Sequence, residues 1–321
     1  MTQELVKASD RSRSFNNGVQ LVWDSTSLST VETCSRKYYY SMVWGIGPQS
    51  TSVHLIFGGI YASGLELYYK LRAKPMSHDE AQLEVVRHAM TESWDYENNR
   101  PVLFESSAKN RQTLVRTLVW YLEEFGDEKE SGIKTYHKLD GVPAVELSFK
   151  IPINDSLVLS GHMDRVVDYA GALYGMDQKT TGTTVTEYFF KQFKPNTQMS
   201  LYIFAGQVVL KEPMQGMIID AAQIAVGFSR FSRGFTYRTV EELDEWYDAT
   251  IGRINYTQHQ SESASSKDFI EGARYFPQNP ASCGNYGGCP FRSLCATTPR
   301  LREKVARSEY ATKLWDPAVE R

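Results

Sequence analysis

Three charged residues interrupt "GHMDRVVDYAGALYGMDQKTTG" (residues 161–182), a stretch that otherwise reads as two sheet strands: Asp164, Asp177 and Lys179. Burying an unpaired charge costs several kcal/mol, so such groups need a partner, water or a metal ion. If 158–168 and 173–181 pair as a hairpin, the two aspartates approach each other across the ladder. Asp177 and Lys179 are two residues apart and share a strand face. Two carboxylates and an ammonium then converge. Hard oxygen ligands suit Mg²⁺ or Mn²⁺, and the carbonyl of Gln178 offers a further one from the backbone. An ion held there lowers the pKa of bound water and neutralises charge growing on a phosphodiester. Lys179 would orient that water or steady the phosphorus. The chemistry implied is metal-assisted phosphodiester hydrolysis. The competing reading is a solvated strand face, where an Asp–Lys pair adds little.

Positioning these groups falls to the elements around them. After Pro143, "AVELSFKIPI", "LVLSGHMDRVVDYA" and "ALYGMDQKTT" have the pattern of three successive strands, with Asn-Asp and Ala-Gly turns between them. "NTQMSLYIFAGQVVL" predicts a helix capped by Asn196, and "GMIIDAAQIAVGF" a return to the sheet. Upstream the pattern is helical. Ser29 and Glu32 have capping-box spacing before Cys34 and Tyr38, 55–72 reads as a helix despite three glycines, and Ser77 and Glu80 form a second capping box. "NRQTLVRTLVWYLEEF" carries an apolar stripe through Leu114, Leu118, Tyr121 and Leu122. Residues 126–132 read as a linker, Thr239 and Glu242 open another helix, and "SESASS" reads as a flexible loop. The expected fold is α/β, a central mixed sheet flanked by helices. The chain divides into a helical segment (1–135), the core (136–260) and a cysteine-bearing tail (261–321).

At these residues the chain resembles RecB-type nucleases of the PD-(D/E)XK superfamily, whose pattern is Gly-x-x-Asp-Arg-[Val/Ile]-Asp followed by Asp-x-Lys-Thr-Gly. A third element, Gln-x-x-x-Tyr on the next helix, is matched by Gln198 and Tyr202. The resemblance implies a restriction-endonuclease-like sheet, Asp164 and Asp177 as ligands of Mg²⁺ or Mn²⁺, and Lys179 as the catalytic residue. It also implies that Gln198, Tyr202 and Arg165 support the site and place DNA. The family's helical His-x-x-x-Glu motif is only half kept. "FGGIYASGLE" aligns Glu66, a possible ligand, but puts Ala62 at the histidine position. Glu146, on the strand before the core, and His162, beside Asp164, are further candidates.

The chain has four cysteines. Cys283, Cys289 and Cys295 have Cys-x5-Cys-x5-Cys spacing, and Cys34 stands far upstream in "ETCSRKYYY". Four thiolates suit a [4Fe–4S] cluster or a structural zinc, and the lack of a tight Cys-x2-Cys knuckle favours iron–sulfur. Taken alone, Cys34 reads as a small buried hydrophobe. "CSRKYYY" and the triplet are similar to the split cysteine set of AddB-type nucleases and CRISPR spacer-acquisition nucleases. That similarity implies a 4Fe-4S staple closing a loop of about 250 residues.

Composition narrows the rest. The 321 residues are 41% hydrophobic and 23% charged, with formal net charge −3. Any nucleic-acid site is therefore a local groove and not a polycationic coat. No apolar run reaches the ~18 residues of a membrane span, and the polar N-terminus lacks a signal-peptide core, so a cytoplasmic protein is expected. No Gly-x-x-x-x-Gly-Lys-[Ser/Thr] is present, so unwinding would come from a separate helicase. Arg36, Lys37, Tyr38, Tyr39 and Tyr40 offer cations and aromatics that could line a single-strand channel. The expected function is a metal-dependent deoxyribonuclease acting as an exonuclease on single-stranded ends. The alternative is a DNA-binding recombination accessory protein with weak or no cleavage. A zinc-stabilised RNA-processing module is a third class, disfavoured by the missing knuckle.

Overall fold

The structure is a computed structural model and describes residues 5–8, 11–102 and 108–319. The chain folds as two compact units, neither contiguous in sequence. One comprises Thr51–Ser148 and His162–Thr239; the other comprises Met1–Ser50, Phe149–Gly161 and Val240–Arg321.

The first unit holds a mixed sheet and its helices. Helix α1 (Val53–Arg72) starts at a Ser52 cap, and α2 (His78–Glu92) starts at the Ser77–Glu80 capping box. Helix α3 (Arg111–Phe125) starts at a box built by Asn110 and Thr113. The supposed linker instead forms one short turn of helix, Glu128–Ser131, ended by Gly132 in the left-handed region. Strands follow at β1 (Ile133–Thr135), β2 (Val145–Asn154), β3 (Leu157–Tyr169) and β4 (Ala172–Thr181). Helix α4 (Thr197–Leu210) then precedes β5 (Met214–Ile224) and β6 (Ser229–Thr236). The sheet order is β6-β5-β4-β3, and β1 also pairs with β3. β3 and β4 are antiparallel across an Ala170-Gly171 turn with both residues at positive φ, the type I′ geometry a tight hairpin needs. β4 and β5 are parallel, with α4 as the crossover, so the sheet is mixed as the pattern predicts.

Burial explains the helical faces. Phe57, Tyr61, Leu65 and Tyr68 of α1 pack with Leu114, Leu118 and Leu122 of α3 and with Ala222 and Ile224 of β5. A buried polar cluster sits beside them. Asp220 of β5 accepts from the Tyr121 hydroxyl and from Arg233 Nε of β6 at 3.2 Å.

In the second unit the expected cap at Ser29 is displaced upstream. Asp24 caps helix Ser25–Thr33 in a capping box with Ser27, and the chain breaks at Cys34, which is extended. The long helix Val240–Ala264 runs into the "SESASS" tract, so most of that segment is helical. Tyr38, Tyr39 and Tyr40 are at most 1% exposed. They stack on Trp23, Phe276 and Phe269 respectively, with centroids 4.8–5.5 Å apart. Arg36 is buried with Nε donating to the Phe276 carbonyl at 2.8 Å. Arg36 and the three tyrosines are therefore core and cannot line a strand channel, while Lys37 is half-buried; Tyr38 ends a short helix, Ser35–Tyr38, and Tyr39 and Tyr40 open a π-helical turn, Tyr39–Val43. Among the described residues no helix is long and apolar enough to cross a membrane.

Candidate active site

The β3–β4 ladder runs from Ala172↔Tyr169 to Met176↔Arg165 and then stops. One residue further on, the Asp164 carboxylate takes the place of a backbone partner: its Oδ2 accepts the Gln178 N–H at 2.7 Å. Beyond that point β4 stays paired with β5 (Asp177↔Ile219, Lys179↔Ala221), which fixes its facing. Asp177 and Lys179 emerge on one face, as spacing two requires, with Lys179 Nζ 2.5 Å from Asp177 Oδ2. Helix α4 supplies the third element. Lys179 Nζ donates to Gln198 Oε1 at 3.1 Å, and Gln198 Nε2 donates to the Tyr202 hydroxyl at 3.1 Å. The i, i+4 spacing puts both residues on one side of the helix.

A small pocket lies on the other side of Asp164. It is lined by Ala62, Glu66 and Tyr69 of α1, Val145 and Glu146 of β2, and Gln178. Its volume is about 10 Å³, the room one water-sized sphere needs. Ala62, which carries no ligating atom, lines this pocket with Asp164. The Glu66 carboxylate is drawn to Lys70, with Nζ 2.5 Å away. Glu146 adopts φ +50, a left-handed backbone rare for a residue with a side chain, next to the group it must approach. His162 is turned to Ser148, 2.8 Å from its Oγ.

Electrostatics sets the site apart. Burial raises the Asp164 pKa, the charge of Asp177 raises it further, and Lys179 and the Gln178 N–H only partly oppose them, leaving it at about 7. Glu146 adds to the rise. Burial works against charge on Lys179, yet Asp177 and Asp164 outweigh it and raise the lysine's pKa. Lys179 is thus a fixed cation and not a base near neutral pH. Two carboxylates face one ammonium and Glu146 bears on Asp164, an excess of negative charge that a cation relieves.

No three His, Cys, Asp or Glu side chains among the described residues converge closely enough to cage an ion alone. Two carboxylates, a backbone carbonyl and water nevertheless make the hard-oxygen set that Mg²⁺ accepts, since it keeps several waters and substrate oxygens. The donor set therefore fits a divalent ion at Asp164, Asp177 and the Gln178 carbonyl, with Glu66 and Glu146 in the adjoining wall.

Arg165 does not join this set. It is 1% exposed, with its guanidinium carbon 3.7 Å from the Tyr69 ring centroid. Sequence reasoning also missed Lys109, which is buried and donates to the Thr180 carbonyl and hydroxyl at 3.3 and 3.2 Å, bracing the strand after Lys179. Burial lowers its pKa to about 8. No spacing signal marks it, because it reaches the strand only through the fold.

The family model described as the PD-(D/E)XK nuclease superfamily matches residues 24–296. The chain belongs to that superfamily. It is a nuclease of that superfamily. Among solved structures, the nuclease is similar to a protein from Eubacterium rectale designated a candidate exonuclease, at 10% identity and a TM-score of 0.45. The similarity covers 77% of this chain and 83% of that one. No curated protein sequence matches the nuclease.

Proposed function

We propose that this nuclease hydrolyses DNA phosphodiester bonds with Mg²⁺ or Mn²⁺, acting as an exonuclease on single-stranded ends. The observation that carries the reading is the Asp164–Asp177–Lys179–Gln198 constellation. Its carboxylate excess calls for a cation, and its single ammonium is pinned between Asp177 and Gln198. A divalent ion supplies Lewis acidity and neutralises charge at the scissile phosphate. Asp164 and Asp177 hold that ion, with the Gln178 carbonyl beside them. Lys179 keeps its proton and presents a positive charge to the developing phosphorane oxygens, a preorganised dipole that needs no rearrangement during reaction. Gln198 and Tyr202 fix the ammonium's direction and offer an amide and a hydroxyl to the strand. Product analysis tests the mode of action. With Mn²⁺, end-labelled linear single strands should release short products while circular single strands stay intact; cutting of circles would replace exonuclease with endonuclease action.

Ala62 in the pocket wall favours a second reading, a DNA-binding accessory role with weak cleavage, because one nitrogen ligand is missing. Binding without any turnover at saturating Mn²⁺ would select it.

A 4Fe-4S cluster on Cys34, Cys283, Cys289 and Cys295 is the second part of the proposal. All four belong to one compact unit and none is in a disulfide. Cys34 is stitched to the segment before the triplet: its Sγ accepts the Asn279 N–H at 3.3 Å, and Asn279 Nδ2 donates to the Thr33 carbonyl at 2.9 Å. Burial raises the Cys295 thiol pKa, Arg36 opposes this, and the neighbouring Cys34 and Cys289 add to the rise. The nearness of Cys34 and Cys289 to Cys295, and the N–H aimed at the Cys34 sulfur, support this reading. Its role is structural, closing the loop between Cys34 and the triplet.

A further inference from the structure

A larger cleft, of about 470 Å³, adjoins the carboxylate pocket on the same unit. Its walls include Arg72, Lys129, Lys134, Thr135 and His137, and it shares Tyr69 with the small pocket. The two carboxylates in its rim are occupied. Asp127 accepts the Lys129 and Glu130 N–H groups, and Glu128 accepts from the Thr135 N–H and hydroxyl. Arg72, Lys129 and Lys134 form no ion pair within 4 Å among the described residues, although Lys129 and Arg72 lie close enough to lower the Asp127 pKa after its backbone bonds have done so.

The wall that the two pockets share is buried. Tyr69 is 2% exposed and its hydroxyl has no hydrogen-bond partner. Behind its ring lies Arg165, whose Nε and Nη1 are also unpartnered. Both groups lie toward the interior, Tyr69 beside Tyr61, Tyr121 and Arg233 and Arg165 beside Tyr121, so the cleft's case rests on its basic lining. From Glu66 in the carboxylate pocket to Arg72 in the cleft is six residues of α1, about 9 Å, so the two sites can engage neighbouring stretches of one strand.

We propose that this cleft receives the phosphate backbone of a single DNA strand next to the scissile bond. Arg72, Lys129 and Lys134 are its phosphate contacts, and Tyr69 is the wall between backbone and metal pocket. The inference rests on the nuclease reading of the neighbouring site. Its test is binding of a fluorescent 12-nucleotide single strand to the full chain in Ca²⁺ over a salt series, paired with cleavage in Mn²⁺. Each phosphate contact removed should flatten the log K against log salt slope by about 0.7. Lys129→Gln/Lys134→Gln should therefore lose about 1.4 in slope and raise KM about tenfold, while Lys304→Gln, in the other unit, changes neither. Equal slopes and KM values in wild type and double variant overturn the cleft, as does an equal loss in Lys304→Gln. Stabilisation by inorganic phosphate with no effect of the double variant on the oligonucleotide also overturns it, making the cleft a small-anion site. The two readings separate cleanly. A chain that cleaves with no cleft dependence loses only the cleft, and one that binds through the cleft but never cleaves loses only the nuclease mechanism.

Discussion

Replacing Asp164 with asparagine should make the metal-free protein more stable while destroying its activity. The folded-state pKa of Asp164 is about 7 against an ordinary 3.8, so the folded protein holds this proton more tightly than the unfolded chain. Stability is therefore unaffected below about pH 4, falls as pH rises through the interval, and carries the full cost above pH 7. A gap of that width corresponds to about 4 kcal/mol. Solvent reaching the partly exposed carboxylate screens part of this, leaving about 2 kcal/mol. The asparagine side chain carries no charge, yet its amide oxygen can still accept the Gln178 N–H, so the strand contact survives. Thermal unfolding with EDTA at pH 8.5 should show Asp164→Asn melting about 3 °C above wild type. At pH 5 most of that gap should close. Mn²⁺ should then raise the wild-type Tm and leave the variant unmoved, because a cation relieves the charge that the substitution removes. A variant less stable than wild type at pH 8.5 in EDTA, or a gap independent of pH, would refute the claim that Asp164 is a strained, cation-seeking carboxylate.

Three further outcomes follow from the geometry. Ala62→His should lower the Mn²⁺ concentration for half-maximal cleavage several-fold, since Ala62 lines the pocket with Asp164, while Glu66→Ala should raise it; metal titrations of initial rates decide both. Protein purified without oxygen should be brown and contain about four irons, and Cys283→Ala should lose the colour and melt at a lower temperature; stoichiometric zinc without visible absorbance would replace the cluster. Asp220→Ala leaves Arg233 and the Tyr121 hydroxyl buried without their carboxylate and should cost about 3 kcal/mol, read by chemical denaturation, with Tyr121→Phe costing about 1 kcal/mol.

What could be read from the sequence was what short spacing controls. The capping box at Ser77–Glu80, the Asn196 cap, the hairpin at Ala170-Gly171 and the shared face of Asp177 and Lys179 all depend on residues a few positions apart. The Gln198–Tyr202 relay to Lys179 was legible only through the motif, because nothing local says which strand a helix faces. Misreadings arose where tertiary packing decides. The tyrosine run near residue 39 has the composition of a strand-binding surface, yet Phe269, Phe276 and Trp23 turn it into core. Arg165 looks like a DNA contact by its place beside Asp164, but strand alternation sends it to the opposite face, beneath Tyr69. Lys109 reaches the strand after Lys179 only through the fold, so no periodicity reports it, and the left-handed backbone of Glu146, itself a candidate by its strand, leaves no mark in the spacing.

The central claim is that Asp177, held against Lys179, takes part in metal-dependent cleavage of DNA. The direct measurement is the rate on a 5′- and 3′-labelled single strand with Mn²⁺ and with EDTA, for wild type and Asp177→Ala purified in parallel. The account predicts cleavage by wild type in Mn²⁺ alone, at least a thousandfold loss in Asp177→Ala (about 4 kcal/mol of barrier), and retained strand binding by the variant in Ca²⁺. Cleavage that persists in EDTA, or an Asp177→Ala rate equal to wild type, would contradict it.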